Sequence, residues 1–387
     1  MSFAAGVCLV CMEMTATGAS PTEERALLER AQGGEEAAFA SLVDPYRGEL
    51  QAHCYRMLGS VHDAEDALQE TLLRAWRALA KFEGRSSLRS WLYTIATNTS
   101  LNAIAKRPKR VLPVDYAPAA DPHDGPREPL VESVWVEPLA DETLEIEDGY
   151  TSPEARYEQL EGVELAFIAA LQHLPANQRA ALILREVLGF SAKECAAMLD
   201  TSTASINSAL QRARKTVEDR LPEKSQQETL RMLGEDRVRE IVDGYVDAWQ
   251  RGDVEQVVSM LTEDAAFSMP PTTTWFGGPD GGREEIATFL AEYPLNGRWR
   301  WRPIQVRANG QPALAYYAWN EEAGAYLPFA LNVLTLRGER IADVTAFIVR
   351  STEDTDPEVL ARFPEQDFEQ SRLAAAFGNF GLPERLD

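Results

Sequence analysis

The stretch FSAKECAAMLDTSTASINSALQRARK, residues 190–215, constrains the fold more than any other part of the chain. Its apolar positions Ala192, Cys195, Ala196 and Leu199 fall at i, i+3, i+4 and i+7, which is one face of a short helix. Ser191 before them and Glu194 three residues later form a capping-box pair, each side chain accepting from the other residue's backbone N–H. Asp200-Thr201-Ser202 breaks the pattern, and a second helix follows with Ile206, Ala209, Leu210, Ala213 and Val217 inward. That leaves Ser205, Asn207, Ser208, Gln211, Arg212 and Lys215 outward. Two short helices, a tight turn and small polar or basic side chains outside make a helix-turn-helix layout, the arrangement that sets one helix in a DNA major groove. An ordinary helical hairpin with a solvated face has the same spacing.

A formal net charge of −23 opposes binding to a polyanion. The acid, however, is unevenly placed. Residues 115–161 hold 14 Asp or Glu against two basic residues, Arg127 and Arg156, so that this stretch carries about half the total. It is also rich in proline and reads as an acidic linker, 113–153, with little regular structure. No apolar run approaches the roughly 20 residues of a membrane span, so no membrane partner is expected. The opening MSFAAGVCLVCMEM lacks the basic flank of a signal peptide and reads as a flexible tail, 1–21, with Met12 and Met14 as alternative starts. Four cysteines, with Cys54 and Cys195 at apolar helical positions, suit a reducing cytoplasm rather than a disulfide framework. Cys8-x-x-Cys11 has redox or metal spacing, yet no second pair or nearby His completes a site. No metal and no cofactor are expected.

Three blocks follow from the periodicity. The first, 22–112, reads as all helix. HDAEDALQETLLRAWRAL puts Ala64, Ala67, Leu68, Thr71, Leu72, Ala75 and Trp76 on one face, with Asp63, Glu65, Asp66, Gln69, Glu70 and Arg74 on the other. SSLRSWLYTIATNTSLNAIAKR turns Leu88, Trp91, Leu92, Ile95 and Ala96 inward and ends in the basic cluster Lys106, Arg107, Lys109 and Arg110. The second block, 154–222, holds the helix-turn-helix, preceded by two amphipathic helices separated at Pro175. The third, 236–350, changes character: two helices, then strand-like runs spaced as hairpins, with a helix entered through Gly281-Gly282. That order argues an α+β domain with a curled sheet. In RWRWR the alternation puts Trp299 and Trp301 on one face and Arg298, Arg300 and Arg302 on the other. Residues 351–387 read as a largely helical acidic tail.

DAEDALQETLLRAWRAL, FEGRSSLRSWLYTIATN and LPANQRAALILREVLGFSAKECAAMLDTSTASINSALQRARK, in that order, resemble the two conserved domains of an extracytoplasmic-function sigma factor over most of residues 36–221. MPPTTTWFGG…GREEIATFL and IADVTAFIV resemble a SnoaL-like cone of the nuclear-transport-factor type. The fold this implies is multidomain: a region 2 helical bundle and a region 4 helix-turn-helix, both all-α, followed by an α+β SnoaL-like domain. The resemblance implies that Asp63, Glu65, Asp66, Gln69 and Glu70 dock on the coiled coil of the RNA polymerase largest subunit, with the polymerase flap as a further contact. It implies that the loop and helix at 83–98 open the −10 promoter strands and capture a flipped base, whose unstacking costs a few kcal/mol. Arg85, Ser86, Ser87, Arg89 and Asn98 are the candidates there, with Lys106 and Arg107 on phosphates. Ser205, Asn207, Ser208, Gln211, Arg212 and Lys215 are then the candidates for the −35 element. Two departures matter. Asn207 and Ala209 stand where many relatives carry Lys or Arg, and Asp200 replaces the usual turn Gly. Fewer charges imply weak intrinsic DNA affinity and reliance on polymerase. The chain is therefore read as a promoter-specificity subunit with a fused regulatory domain; the alternatives are a helix-turn-helix regulator that does not replace sigma and, behind it, an isomerase- or cyclase-type enzyme acting through the third domain.

The cone fold hosts isomerases, cyclases and plain binders, so fold alone decides nothing about catalysis. All four His (53, 62, 123 and 173) lie before the third block, which leaves Asp264 or Asp343 as bases and Tyr316, Tyr317 or Tyr326 as donors to an oxyanion. An Asp beside a turn, and paired tyrosines pointing to opposite faces of a strand, argue against an enzyme. An apolar pocket of Trp249, Phe267, Met269, Trp275, Phe276 and Trp319 is the expected site of a small-molecule ligand, although the same aromatics also suit a plain core.

Overall fold

The computed structural model describes residues 21–127, 134–144, 159–348 and 377–387. Cys8, Cys11 and most of the expected C-terminal tail lie outside the described residues. The chain divides into two compact units, 1–110 with 144–221 and 111–143 with 222–387.

The first unit is helical in its described residues. α1 (Pro21–Gln32), α2 (Glu36–Val43), α3 (Arg47–Leu58), α4 (Val61–Leu79) and α5 (Leu88–Ile104) come first. α3 stops at Gly59, whose φ of 68° lets the chain reverse into Ser60; the Ser60 hydroxyl then caps α4 by accepting from Asp63 N. Ser87 caps α5 in the same way. Leu50, Tyr55, Met57, Leu79, Leu92 and Tyr93 are fully buried between these helices. After residue 159 come α6 (Leu165–Gln172), α7 (Ala176–Leu182), a π turn (Ile183–Val187), α8 (Ala192–Met198) and α9 (Thr203–Glu218). Pro175 stands at the start of α7, where the absent N–H costs nothing. The two halves of this unit are joined by buried guanidinium groups. Arg56 Nε donates to Gly162 O at 2.8 Å. Arg179, 4% exposed, donates to Met57 O and to Gln172 Oε1, and burial draws its pKa down to about 10. Phe190 sits edge-on to Tyr93 at 5.3 Å.

The second unit is α+β. α10 (Gln226–Leu233), α11 (Glu235–Gln250), α12 (Val254–Ser259) and α13 (Gly278–Glu292) accompany a six-stranded sheet of order β2-β1-β6-β5-β4-β3. The strands are β1 (Leu261–Ser268), β2 (Trp275–Gly277), β3 (Trp301–Ala308), β4 (Gln311–Asn320), β5 (Ala325–Arg337) and β6 (Arg340–Ile348). Among the described strands of the sheet only the β1–β6 pair is parallel. Bulges at Tyr316/Tyr317 and Thr335/Leu336 curl the sheet. The second is plugged by the buried Gln226 side chain, which donates to Leu336 O at 2.6 Å and accepts from Leu336 N at 2.8 Å. The concave face packs on α11 and α13 around Trp249, Phe267, Phe276, Phe289 and Tyr316.

Two expectations change here. The described parts of the acidic linker have little regular structure, as the composition suggests, but they are not free. Residues 111–143 belong to the second unit, because apolar residues are interleaved with the acid. Val136 and Leu139 are fully buried. Ala120 N donates to Trp275 O, Leu139 exchanges two hydrogen bonds with Asn309, and Asp141 accepts from Gly310 N and Arg307 Nε. The end of the acidic tail is likewise part of the fold. Phe377 is buried edge-on to Tyr317, Tyr317 OH donates to Pro383 O at 2.8 Å, and Leu386 forms a bridge to Tyr326.

Candidate promoter and polymerase interfaces, and the C-terminal cavity

The helix-turn-helix forms as its spacing predicts. Ser191 and Glu194 make both bonds of the capping box, Ser202 caps α9, and Ile206, Leu210, Ala213 and Val217 are buried. Between the helices Asp200 adopts φ 46°, the left-handed conformation that a Gly would hold without strain. Ser205, Asn207, Ser208, Gln211, Arg212 and Lys215 are all exposed on α9. The Ser205 hydroxyl lies 3.0 Å from that of Ser202, so it also serves the cap. A groove along this face is walled by Arg185 and Arg214 as well, two cations that periodicity did not single out. Arg214 is held there by Glu186 at 2.7 Å.

The acidic face of α4 is narrower than the sequence suggests. Asp63 is 5% exposed and paired with Arg110, itself 6% exposed, and with Arg107. It is a buried structural carboxylate and cannot meet a partner. The reason is tertiary: the basic cluster after α5 folds back onto the first turn of α4. Glu65 is half-buried, while Asp66 and Gln69 are exposed and Glu70 is 42% exposed and bonded to Arg74. Leu73, 50% exposed, stands on the same stripe, three and four residues beyond Glu70 and Gln69. A leucine inside a polar stripe was the available signal for it.

The −10 candidates divide. Arg85, Ser86, Asn98 and Lys106 are exposed, with Arg85 bonded to Glu83. Ser87 is exposed too, but its hydroxyl accepts from Ser90 N as the α5 cap. Arg89 is half-buried: it bonds Glu49 at 3.1 Å and lies 4.9 Å from the ring centroids of both Tyr93 and Phe190. Arg107 is engaged by Asp63 and, at 3.8 Å, by Asp66. Arg89 and Arg107 therefore hold the unit together in this arrangement, which one-dimensional reading missed because their partners are distant in sequence.

Within the second unit, Trp249, Phe267 and Met269 line an apolar cavity, and Trp299 and Trp301, stacked at 5.1 Å, form part of its wall. Trp275, Phe276 and Trp319 do not line it. Trp275 Nε1 donates to Ala117 O, Phe276 is core stacked on Phe289 at 4.5 Å, and Trp319 lies under Arg300 beside Tyr326. Neither carboxylate base reaches the cavity. Asp343 shares its strand face with Thr345, whereas Ala346 and Ile348, on the alternate face, line the cavity. Burial raises the Asp343 pKa to about 6. Asp264 is held below the usual carboxylate range by its hydrogen bond from Arg337.

Residues 42–110 match the sigma-70 region 2 family, 164–217 the sigma-70 region 4 family, and 242–344 the SnoaL-like domain family. The ECF RNA polymerase sigma factor SigG of Mycobacterium tuberculosis is 40% identical over 334 residues, 86% of this chain and 84% of SigG. The chain belongs to the extracytoplasmic-function sigma factors. The RNA polymerase sigma-H factor of Pseudomonas aeruginosa, 31% identical over 199 residues, matches 51% of this sigma factor and 94% of its own length. The solved structure of M. tuberculosis SigJ, an extracytoplasmic function sigma factor, covers 80% of this chain and 96% of its own at TM-score 0.50 and 21% identity, a likeness of fold alone. No helix among the described residues is long and apolar enough to cross a membrane.

Proposed function

We propose that this sigma factor binds core RNA polymerase, reads −35 and −10 promoter elements and starts transcription in the cytoplasm, under the control of its SnoaL-like domain. The observation that carries the reading is α9, a capped helix with Ser205, Asn207, Ser208, Gln211, Arg212, Arg214 and Lys215 outward and its apolar face packed away. Ser208, Gln211 and Arg212 are the base-reading set, while Lys215, Arg214 and Arg185 meet phosphates. The polymerase surface is the stripe Asp66, Gln69, Glu70 and Leu73, in which exposed acid meets the basic coiled coil of the largest subunit around an apolar centre. Arg85, Ser86, Asn98 and Lys106 face the −10 strand. Arg89 and Arg107 join them after leaving their present partners. The flap of polymerase takes the region 4 half. The third domain regulates by binding a small molecule and catalyses nothing; in support, no Asp, Glu, Lys, Arg or His among the described residues lines its cavity.

The test is run-off transcription on a promoter library with purified core polymerase, comparing the full chain with a truncation after residue 222. Defined transcripts that depend on the protein are expected, with a different yield from the two forms. No transcript from either folded protein would favour a helix-turn-helix regulator that leaves sigma in place.

A further inference from the structure

The C-terminal cavity carries more information than its apolar walls. It measures about 80 Å³, roughly half the ~150 Å³ that accepts benzene in an engineered protein core. Three side chains on its wall bring polar atoms that have no hydrogen-bond partner among the described residues: Trp249 Nε1, Tyr316 OH and Asn332 Oδ1. All three residues are at most 4% exposed. Buried polar atoms in a folded protein are nearly always paired, and each one left unpaired is costly. Three on residues of one small cavity mark a site whose partner is not among the described residues. The indole N–H only donates, the amide oxygen only accepts, and the phenol does both. The complementary group is one that accepts and donates at once, a hydroxyl. The remaining walls are aromatic: Tyr316 lies 4.9 Å from the Trp249 ring, and Trp301 stands perpendicular to Tyr316 at 6.1 Å. With no Asp, Glu, Lys, Arg or His among the described residues of the wall, a charged ligand would be left uncompensated.

We infer that the cavity is a binding site for a small neutral ring compound bearing a hydroxyl, read by Trp249, Tyr316 and Asn332. One wall is Pro126, from the strap between the two sigma domains. The strap is held close: Arg127 N donates to Thr274 Oγ1 at 2.8 Å, and Tyr293 OH donates to His123 O at 2.6 Å. A side chain on Gly125, at φ 69°, would strike the Tyr293 ring. A ring larger than the resting cavity therefore presses on the strap, which gives occupancy a route to the chain that joins the sigma domains. This site rests on the reading of the third domain as a ligand-responsive regulator and gives that reading its chemistry.

Phenol and toluene test it, since they have the same number of heavy atoms and differ by a hydroxyl against a methyl. Titrations of the full chain followed by ligand-observed NMR are expected to show saturable phenol binding about tenfold tighter than toluene, the worth of polar atoms newly paired. Tyr316→Phe and Asn332→Leu should each shrink that preference severalfold, and Ala346→Leu, which fills the cavity, should abolish binding of both probes. Circular dichroism checks that each variant folds, and any one of the three suffices for the comparison. Equal affinity for the two probes would mean a plain apolar void. No saturable binding by either would leave the polar atoms to water, and a phenol preference untouched by the folded variants would place the binding elsewhere; each of these overturns the site. Because binding is read without transcription, such a failure is distinct from failure of sigma activity.

Discussion

Asp63 illustrates what a single residue can conceal. In the helical pattern of α4 it falls with the acidic face, and in the fold it is the carboxylate that satisfies the buried Arg110. Removing one partner of a buried pair leaves the other without compensation, so Asp63→Ala should cost about 3 kcal/mol in urea unfolding. Asp66→Ala, on the exposed stripe, should change stability by less than about 0.5 kcal/mol and act on polymerase binding instead. Asp343 makes a pH-dependent case. Its carboxyl holds a proton more tightly in the fold than in the open chain, with a folded value of about 6 against an ordinary 3.8. The native state is thus favoured below pH 4 and penalised progressively as pH rises from 4 to 6. Asp343→Asn keeps the acceptor for Thr345 and should stabilise the domain by on the order of 3 kcal/mol at pH 7.5, and by nothing at pH 4. Thermal melts at the two pH values check this; a gain equal at both would mean that burial of charge is not the cause.

At the scale of elements, local signals were dependable wherever an element is amphipathic and capped. α8 and α9 begin at Ser191 and Ser202, and β3 presents Trp301 to the cavity as the alternation of RWRWR requires. The turn between α8 and α9 carries a testable strain. A non-glycine residue in the left-handed region costs about 1 kcal/mol, so Asp200→Gly should raise stability by up to that amount, offset in part by the greater freedom of Gly in the unfolded chain. Asp200→Val should lower it by more than 1 kcal/mol. Chemical denaturation of the three proteins orders them; a Val variant as stable as the parent would show that the turn is unstrained. The strap 111–143 is the element that local signals misjudged. Its proline and acid match the composition of disorder, and its few apolar residues have no helical or strand period to betray that they are buried.

For the whole molecule, the strap changes what a truncation means. Cutting the chain after residue 222 removes Trp275, Asn309, Gly310 and Arg307, the partners of residues 117–141. Val136 and Leu139, now fully buried, then lose their cover. Limited proteolysis should therefore cleave the truncated protein within 111–143 at least tenfold faster than the full chain, as cleavage follows local opening. Equal rates would mean that the strap is already open in the full chain. The consequence for function is direct: a change in yield between the two forms reports the third domain and its hold on the strap together.

The sequence by itself determined the helices and their caps, the strand alternation, the two sigma signatures in order and the α+β character of the third block. These are legible because periodicity and capping are set within a few residues of one another. Only the tertiary structure decided that Asp63 is spent on Arg110, that Arg89 lies between Glu49 and two aromatic rings, that the strap belongs to the second unit, and which aromatics wall the cavity rather than fill the core. Each of those depends on which charge or ring arrives from 40 or more residues away, as Arg110 does for Asp63 and Glu49 for Arg89. Burial and pairing are properties of the packed chain, and a pattern along one helix specifies which way a side chain points without specifying what meets it.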